Sequence, residues 1–310
     1  MKTNQQALFT KAGRFVAATL LLWQLTASVH AQNTNFNFQA TKAAADQGEA
    51  KAQYDLAGCY AEGSSGVPKD YVKAAQYLRQ SADQGYAPAQ IALGSFYGRG
   101  RGVPRNPATA ASWYRKAAEQ GNALAQYALG TFYASGRGVT NDMDQAIQWW
   151  QKAATQGQVD AQAELGQACL FPGTAPNPNH PSQTEAVGWL RKAAAQGSVN
   201  AINDLGVAYE NGYGVKTDFK EAANWYRQAA ELGDAQAQVN LGQLYFDGRG
   251  VPFDPVQAYK WFKLSANQGN SLGTICFGRF NNGQLLTAKQ LADADQLVLN
   301  FQPKSSLNQP

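Results

Sequence analysis

Residues 121–156 read GNALAQYALGTFYASGRGVTNDMDQAIQWWQKAATQ. Ala125, Leu129 and Tyr133 recur at steps of four, which puts them on one stripe of a helix. The run Gly136-Arg137-Gly138-Val139 then ends that helix, because glycine readily takes the left-handed backbone of a helix C-terminus. Asp142 offers a carboxylate to the free N–H groups that open a second helix. The second helix carries Ala146 and Trp149, then Ala153-Ala154, and stops at Gln156-Gly157. Neither helix can bury its apolar face alone, so the unit needs neighbours.

The neighbours are in the same chain. The dipeptide Gln-Gly, once Leu-Gly, places glycines at Gly48, Gly85, Gly121, Gly157, Gly197, Gly233 and Gly269, at spacings of 37, 36, 36, 40, 36 and 36. Working outward from the central unit, Gly-x-Gly-Val recurs at 100–103, 212–215 and 248–251. A phosphate loop would need a preceding strand and a following Lys-Ser or Lys-Thr, so these glycines read as turns. The N-cap position holds Asp70, Asn106, Asp142, Asp218 and Asp254, with Ser182 in the fourth unit backed by Glu185 in a capping-box pattern. These acids are therefore structural. A mid-helix glycine recurs at Gly94, Gly130, Gly166, Gly206, Gly242 and Gly278, after a leucine in all but the last, where Phe277 precedes it. Each costs about 1 kcal/mol relative to alanine, which predicts the close approach of another helix backbone. Ala57 holds the place in the first unit. Tyr77, Trp113, Trp149, Trp189, Trp225 and Trp261 form an aromatic ladder. It is expected to be core, each ring contributing at most about 4–6 kcal/mol of burial.

The run Ala-Gln-x-x-Leu-Gly-x-x-Tyr-x-x-Gly-x-Gly-Val, then Asp, Ala-x-x-Trp and Lys-Ala-Ala-x-Gln-Gly, resembles the Sel1-like repeat. That family is related to the tetratricopeptide repeats. The resemblance covers 48–268 as six full units. It implies an all-α, right-handed α-solenoid of antiparallel helix pairs with capping helices at each end. It also implies adaptor roles in protein assemblies. Two units depart from the pattern: the first has an extra residue at Ser64-Ser65, and the fourth replaces Gly-x-Gly-Val with FPGTAPNPNHP at 171–181 and tyrosine with Cys169. The proline-rich stretch reads as a surface loop.

The flanks divide simply. Residues 1–31 have the form of a signal peptide: Lys2, Lys11 and Arg14 without an acid, an apolar run at 15–25, and small residues before Gln32. The apolar run is shorter than the roughly twenty residues that span a bilayer. The expected location is periplasmic or secreted. Segment 32–47 is expected to cap the front of the stack. Residues 269–301 are read as an incomplete repeat and a capping helix started by Thr287, and 302–310 as a frayed tail.

Without the leader, 23 Lys+Arg face 22 Asp+Glu, so no net charge points to nucleic acid. Cys59, Cys169 and Cys276 are too few, and too far apart in sequence, for a disulfide framework or a zinc site. The single histidine after the leader, His180, has only Glu185 near it in sequence. No catalytic residue, cofactor or metal site is assigned. The expected function is a non-catalytic scaffold binding a partner protein or peptide. Two alternatives stand beside it: a β-lactam-binding or weakly β-lactamase-like hydrolase, as some cysteine-rich members of the resembled family are described, and a peptidoglycan- or saccharide-binding module. This chain lacks the paired cysteines of the former. On the first helices, the residue after Ala-Gln points away from the leucine stripe and is large only early in the chain. Tyr54, Ile91 and Tyr127 are thus the candidate partner-binding patch, in a groove of the solenoid.

Overall fold

A computed structural model describes residues 37–171, 180–282 and 285–305, side chains of 281 and 282 excepted. The leader and most of the proline-rich loop lie outside the described residues. Fifteen helices and no strand occur among the described residues. They are α1 Phe38–Asp46, α2 Ala50–Glu62, α3 Tyr71–Asp83, α4 Ala87–Arg99, α5 Pro107–Glu119, α6 Ala123–Ser135, α7 Met143–Thr155, α8 Val159–Leu170, α9 Gln183–Ala195, α10 Val199–Asn211, α11 Phe219–Glu231, α12 Ala235–Asp247, α13 Pro255–Asn267, α14 Ser271–Asn282 and α15 Ala288–Leu299. The architecture is an all-α repeat solenoid. The chain divides into two compact units, Met1–Gln158 and Val159–Pro310.

The turns form where the local chemistry requires them. Asp70, Asn106, Asp142, Ser182, Asp218 and Asp254 each accept a backbone N–H from the first turn of the second helix. Their own N–H groups lock the hairpin in most repeats: Asp70, Asn106, Asp142, Asp218 and Asp254 donate to the carbonyls of Tyr60, Tyr97, Tyr133, Tyr209 and Tyr245 at 2.7–3.1 Å. First helices end on glycine in the left-handed region, as at Gly100 with φ 73°.

Glycine has two different duties in the stack. The second glycine of each turn touches the backbone of the preceding repeat's second helix: a Cβ on Gly138 would collide with Pro107 and Ala108. The mid-helix glycine instead makes room mainly for a side chain. A Cβ on Gly130 would lie 2.6 Å from Trp150 Cδ1, and one on Gly242 2.9 Å from Phe262. The carbonyl of Ala146 lies 3.0 Å from the same point at Gly130, so backbone approach is the lesser part. The expected close approach of helix backbone thus belongs to the turn.

The aromatic ladder is corrected in the same way. Trp113 and Trp261 are buried, but Tyr77, Trp149, Trp189 and Trp225 are only half-buried. The deepest position is the next residue: Leu78, Tyr114, Trp150, Leu190, Tyr226 and Phe262 are all 3% exposed or less. A step of one residue turns a helix by about 100°, enough to move a ring from the core to its rim.

At the C-terminus, Thr287 caps α15 in a full capping box with Gln290. Asp295 on α15 accepts from Tyr259 Oη at 2.8 Å and Lys263 Nζ at 2.7 Å on α13. The tail is tied down as far as Lys304, whose N–H donates to Glu231 O at 2.8 Å and whose ammonium lies 2.9 Å from the Glu231 carboxylate.

Candidate interaction surface

The described residues are rich in caps and poor in reactive groups. No cluster of three or more His, Cys, Asp or Glu among them is placed to hold a metal ion. No described helix is long and apolar enough to cross a membrane. Cys59 is buried, and Cys169 and Cys276 are half-buried. Burial pushes all three thiols up, Cys169 to about 11, away from the reactive thiolate. Glu185, the acid nearest His180 in sequence, is committed to Ser182 in its capping box.

Repeats are joined by polar links that the sequence pattern did not reveal. The glutamine of each Ala-Gln pair is buried, and its carboxamide works in both directions. Gln53, Gln90, Gln126 and Gln238 donate to Ala45 O, Ala82 O, Ala118 O and Ala230 O at the end of the preceding second helix. Gln53, Gln90, Gln126, Gln162 and Gln238 accept from Gln84, Gln120, Gln156, Gln196 and Gln268 at 2.8–2.9 Å. The Gln-Gly turn is therefore also a hydrogen-bonding clamp. In the fifth repeat both partners change together: Ile202 replaces the first glutamine and Leu232 the second, and both join one apolar cluster. Replacing both members of a buried pair with apolar groups leaves no polar atom unsatisfied.

Of the candidate patch, Tyr54 and Ile91 are half-buried and Tyr127 is 5% exposed. The Tyr54 ring meets Tyr86 edge-on at 5.5 Å. The three residues therefore do not form one open surface. The third repeat buries the residue after Ala-Gln, whereas the first two leave it half-exposed. The same position in the fifth repeat, Asn203, accepts a hydrogen bond from Asn240 at 3.1 Å.

A cavity of about 530 Å³ opens instead at the front of the first unit, beside the parallel rings of Tyr60 and Tyr77, with Asp46, Lys73, Gln76 and Gln80 around it. Repeat register explains the space. In later repeats an arginine of the preceding second helix reaches the tyrosine hydroxyl, as Arg79 reaches Tyr97 and Arg191 reaches Tyr209. Ahead of Tyr60 that place is Lys42, which pairs with Asp46 at 2.6 Å, and the preceding aromatic is replaced by Ala40. Lysines also lie over tryptophan rings within single repeats, over half-buried Trp149 and Trp189 and over buried Trp113. Lys116, Lys152 and Lys192 lie 4.0–4.1 Å from the ring centres of Trp113, Trp149 and Trp189.

The Sel1 repeat matches six successive stretches, 50–86, 87–122, 123–158, 159–198, 199–234 and 235–270. No curated protein matches the chain. Among solved structures, the chain is 38% identical to a protective antigen present in uropathogenic Escherichia coli strains and displaying an SLR fold. The TM-score is 0.77, over 90% of this chain and 60% of that one. The chain thus spans less than two thirds of that protein. It is 35% identical to a Sel1 repeat protein from Oxalobacter formigenes, with a TM-score of 0.64, over 78% of this chain and 94% of that one. With six matched repeats laid end to end from residue 50 to residue 270, the chain belongs to the Sel1 repeat family.

Proposed function

We propose that the mature chain is a non-catalytic scaffold outside the cytoplasm that holds a partner protein or peptide on the surface of its repeats. The carrying observation is that six Sel1 repeats fill 50–270, with the residues that recur from repeat to repeat spent on caps, clamps and close approach. The description of the Escherichia coli relative as a protective antigen supports an exported role, as does the form of residues 1–31. Tyr54 and Ile91, together with the cavity beside Tyr60 and Tyr77, are the partner-facing groups in this reading.

The test has two readouts on the full chain, expressed with a C-terminal tag. Mass spectrometry of the exported protein is expected to begin at Gln32. Crosslinking in intact cells is expected to give a defined adduct that Tyr54→Ala with Ile91→Ala removes at unchanged melting temperature. A chain that keeps its leader and stays in the cytoplasm overturns the location. Hydrolysis of a chromogenic β-lactam, or retention on peptidoglycan with no protein adduct, overturns the scaffold reading.

A further inference from the structure

The second unit contains a three-residue arrangement that the first unit repeats with its acid removed. Glu210 stands at the end of α10, directly after Tyr209. Its carboxylate accepts from Tyr226 Oη at 2.7 Å and from Arg249 Nη2 at 2.8 Å. Arg249 is the variable residue of its Gly-x-Gly-Val turn. Carried back to the first unit, the same register falls on Gly98, Tyr114 and Arg137. The tyrosine and the arginine are kept, and the carboxylate is missing.

More positive charge stands beside the gap. Arg99 follows Gly98, and its Nη2 is buried without a hydrogen-bond partner. Burial, then Arg101, holds the Arg99 guanidinium down, and Arg137 adds to this. Burial, then Arg105, does the same to Arg137. Tyr114 touches both effects but supplies no negative charge, since burial pushes its phenol up to about 12. Aromatic faces fix the flanking guanidiniums: Arg137 lies 5.1 Å from the Phe132 ring centre and Arg101 5.4 Å from that of Tyr71. Gathering cations in a partly desolvated place without a counter-charge is costly. A guanidinium is the group best shaped to take a carboxylate in a two-pronged contact.

We propose that Arg99, Arg101 and Arg137 bind a side-chain carboxylate from an acidic segment of the partner protein, seated where Glu210 meets Tyr226 and Arg249 in the second unit. This deepens the scaffold reading and rests on it. The guest takes the place that the second unit fills with its own glutamate, while buried Tyr114 keeps its hydrogen bond with Ser95.

Gly98→Glu is the direct test. Gly98 lies in a helix, and a Cβ there would meet only Ala110 Cβ, at an ordinary 3.8 Å. The variant is expected to raise the melting temperature by supplying the missing acid internally. The probe is a fluorescent, acetylated and amidated oligoglutamate, read by anisotropy at low salt on the full mature chain. Arg99→Gln with Arg137→Gln, and separately Gly98→Glu, are each expected to weaken the probe about tenfold or more. Arg249→Gln, whose partner is internal, is expected to leave it unchanged. Equal probe binding by all variants overturns the proposal, as does an unchanged or lowered melting temperature in Gly98→Glu. Inorganic phosphate displacing the probe at equal concentration overturns the assignment to a carboxylate. If the melting and probe results hold but no cellular adduct forms, the scaffold reading fails by itself. An adduct that survives loss of both arginines sinks only this inference.

Discussion

Gln156 Nε2 donates to Gln126 Oε1 at 2.8 Å across thirty residues, while Gln126 Nε2 donates to Ala118 O at 3.2 Å in the preceding helix. One buried side chain thus ties a first helix to the helix before it and to the turn that closes its own repeat. Gln126→Ala removes the side-chain donor of the Ala118 carbonyl, which keeps the Gly121 N–H at 3.0 Å, and removes one partner of Gln156. A loss of about 1–3 kcal/mol is expected by chemical denaturation. The pair change Gln126→Ile with Gln156→Leu copies Ile202 and Leu232 and is expected to recover most of that loss. A double variant no better than the single one would show that the clamp is not a closed pair.

Adjacent tryptophans are expected to behave differently. Trp150 is 3% exposed and packs on Gly130, so Trp150→Ala should lose about 3–5 kcal/mol. Trp149 is half-buried under Lys152 at 4.1 Å. Trp149→Ala loses the rim contact and a cation–π pair of about 0.5–1 kcal/mol, so its cost is expected to be clearly smaller. Urea melts of the two variants, side by side, give the order; the reverse order would put the core on the other ring.

The two glycine duties separate by experiment as well. Gly130→Ala gains about 1 kcal/mol of helix propensity but presses a methyl against the Trp150 ring, an overpacking cost of about 1–3 kcal/mol. Gly138→Ala must force a left-handed residue, φ 69°, against the backbone of Pro107 and Ala108. A ring can shift and a backbone cannot, so Gly138→Ala is expected to be the more damaging in thermal unfolding. Paired Gly130→Ala with Trp150→Leu should recover part of the first loss, whereas no side-chain change relieves the second.

The C-terminal cap carries a pH signature. The hydrogen bond from Lys263 holds the Asp295 carboxyl below its ordinary value, with Tyr259 adding to it. A group depressed in the folded state adds stability above its unfolded pKa and loses it as pH falls through the folded value. Thermal scans from neutral to acid pH should therefore show a smaller decline in Asp295→Asn than in the parent. The Asp295 side chain is 42% exposed, so the difference is expected to be small and to shrink with salt. Parallel curves for both proteins would show that the contact with Lys263 and Tyr259 does not contribute.

Helix ends and turns were legible in the residues themselves. Asp142 caps, Gly136 ends a helix and Thr287 starts one because each acts on backbone within four positions of itself, and such interactions are encoded locally. The period of the Gln-Gly turns likewise announced the stacked pairs, since a strict repeat needs neighbours to bury its faces. Tertiary structure decided what lies a helix apart. It chose Trp150 over Trp149 for the core and buried Tyr127 away from the candidate patch. It also brought Gln126 to Gln156 and left Arg137 without the acid that Arg249 meets in Glu210. A single pattern of residue types leaves such choices open, because they turn on which neighbouring helix faces each side chain and how far apart the two stand.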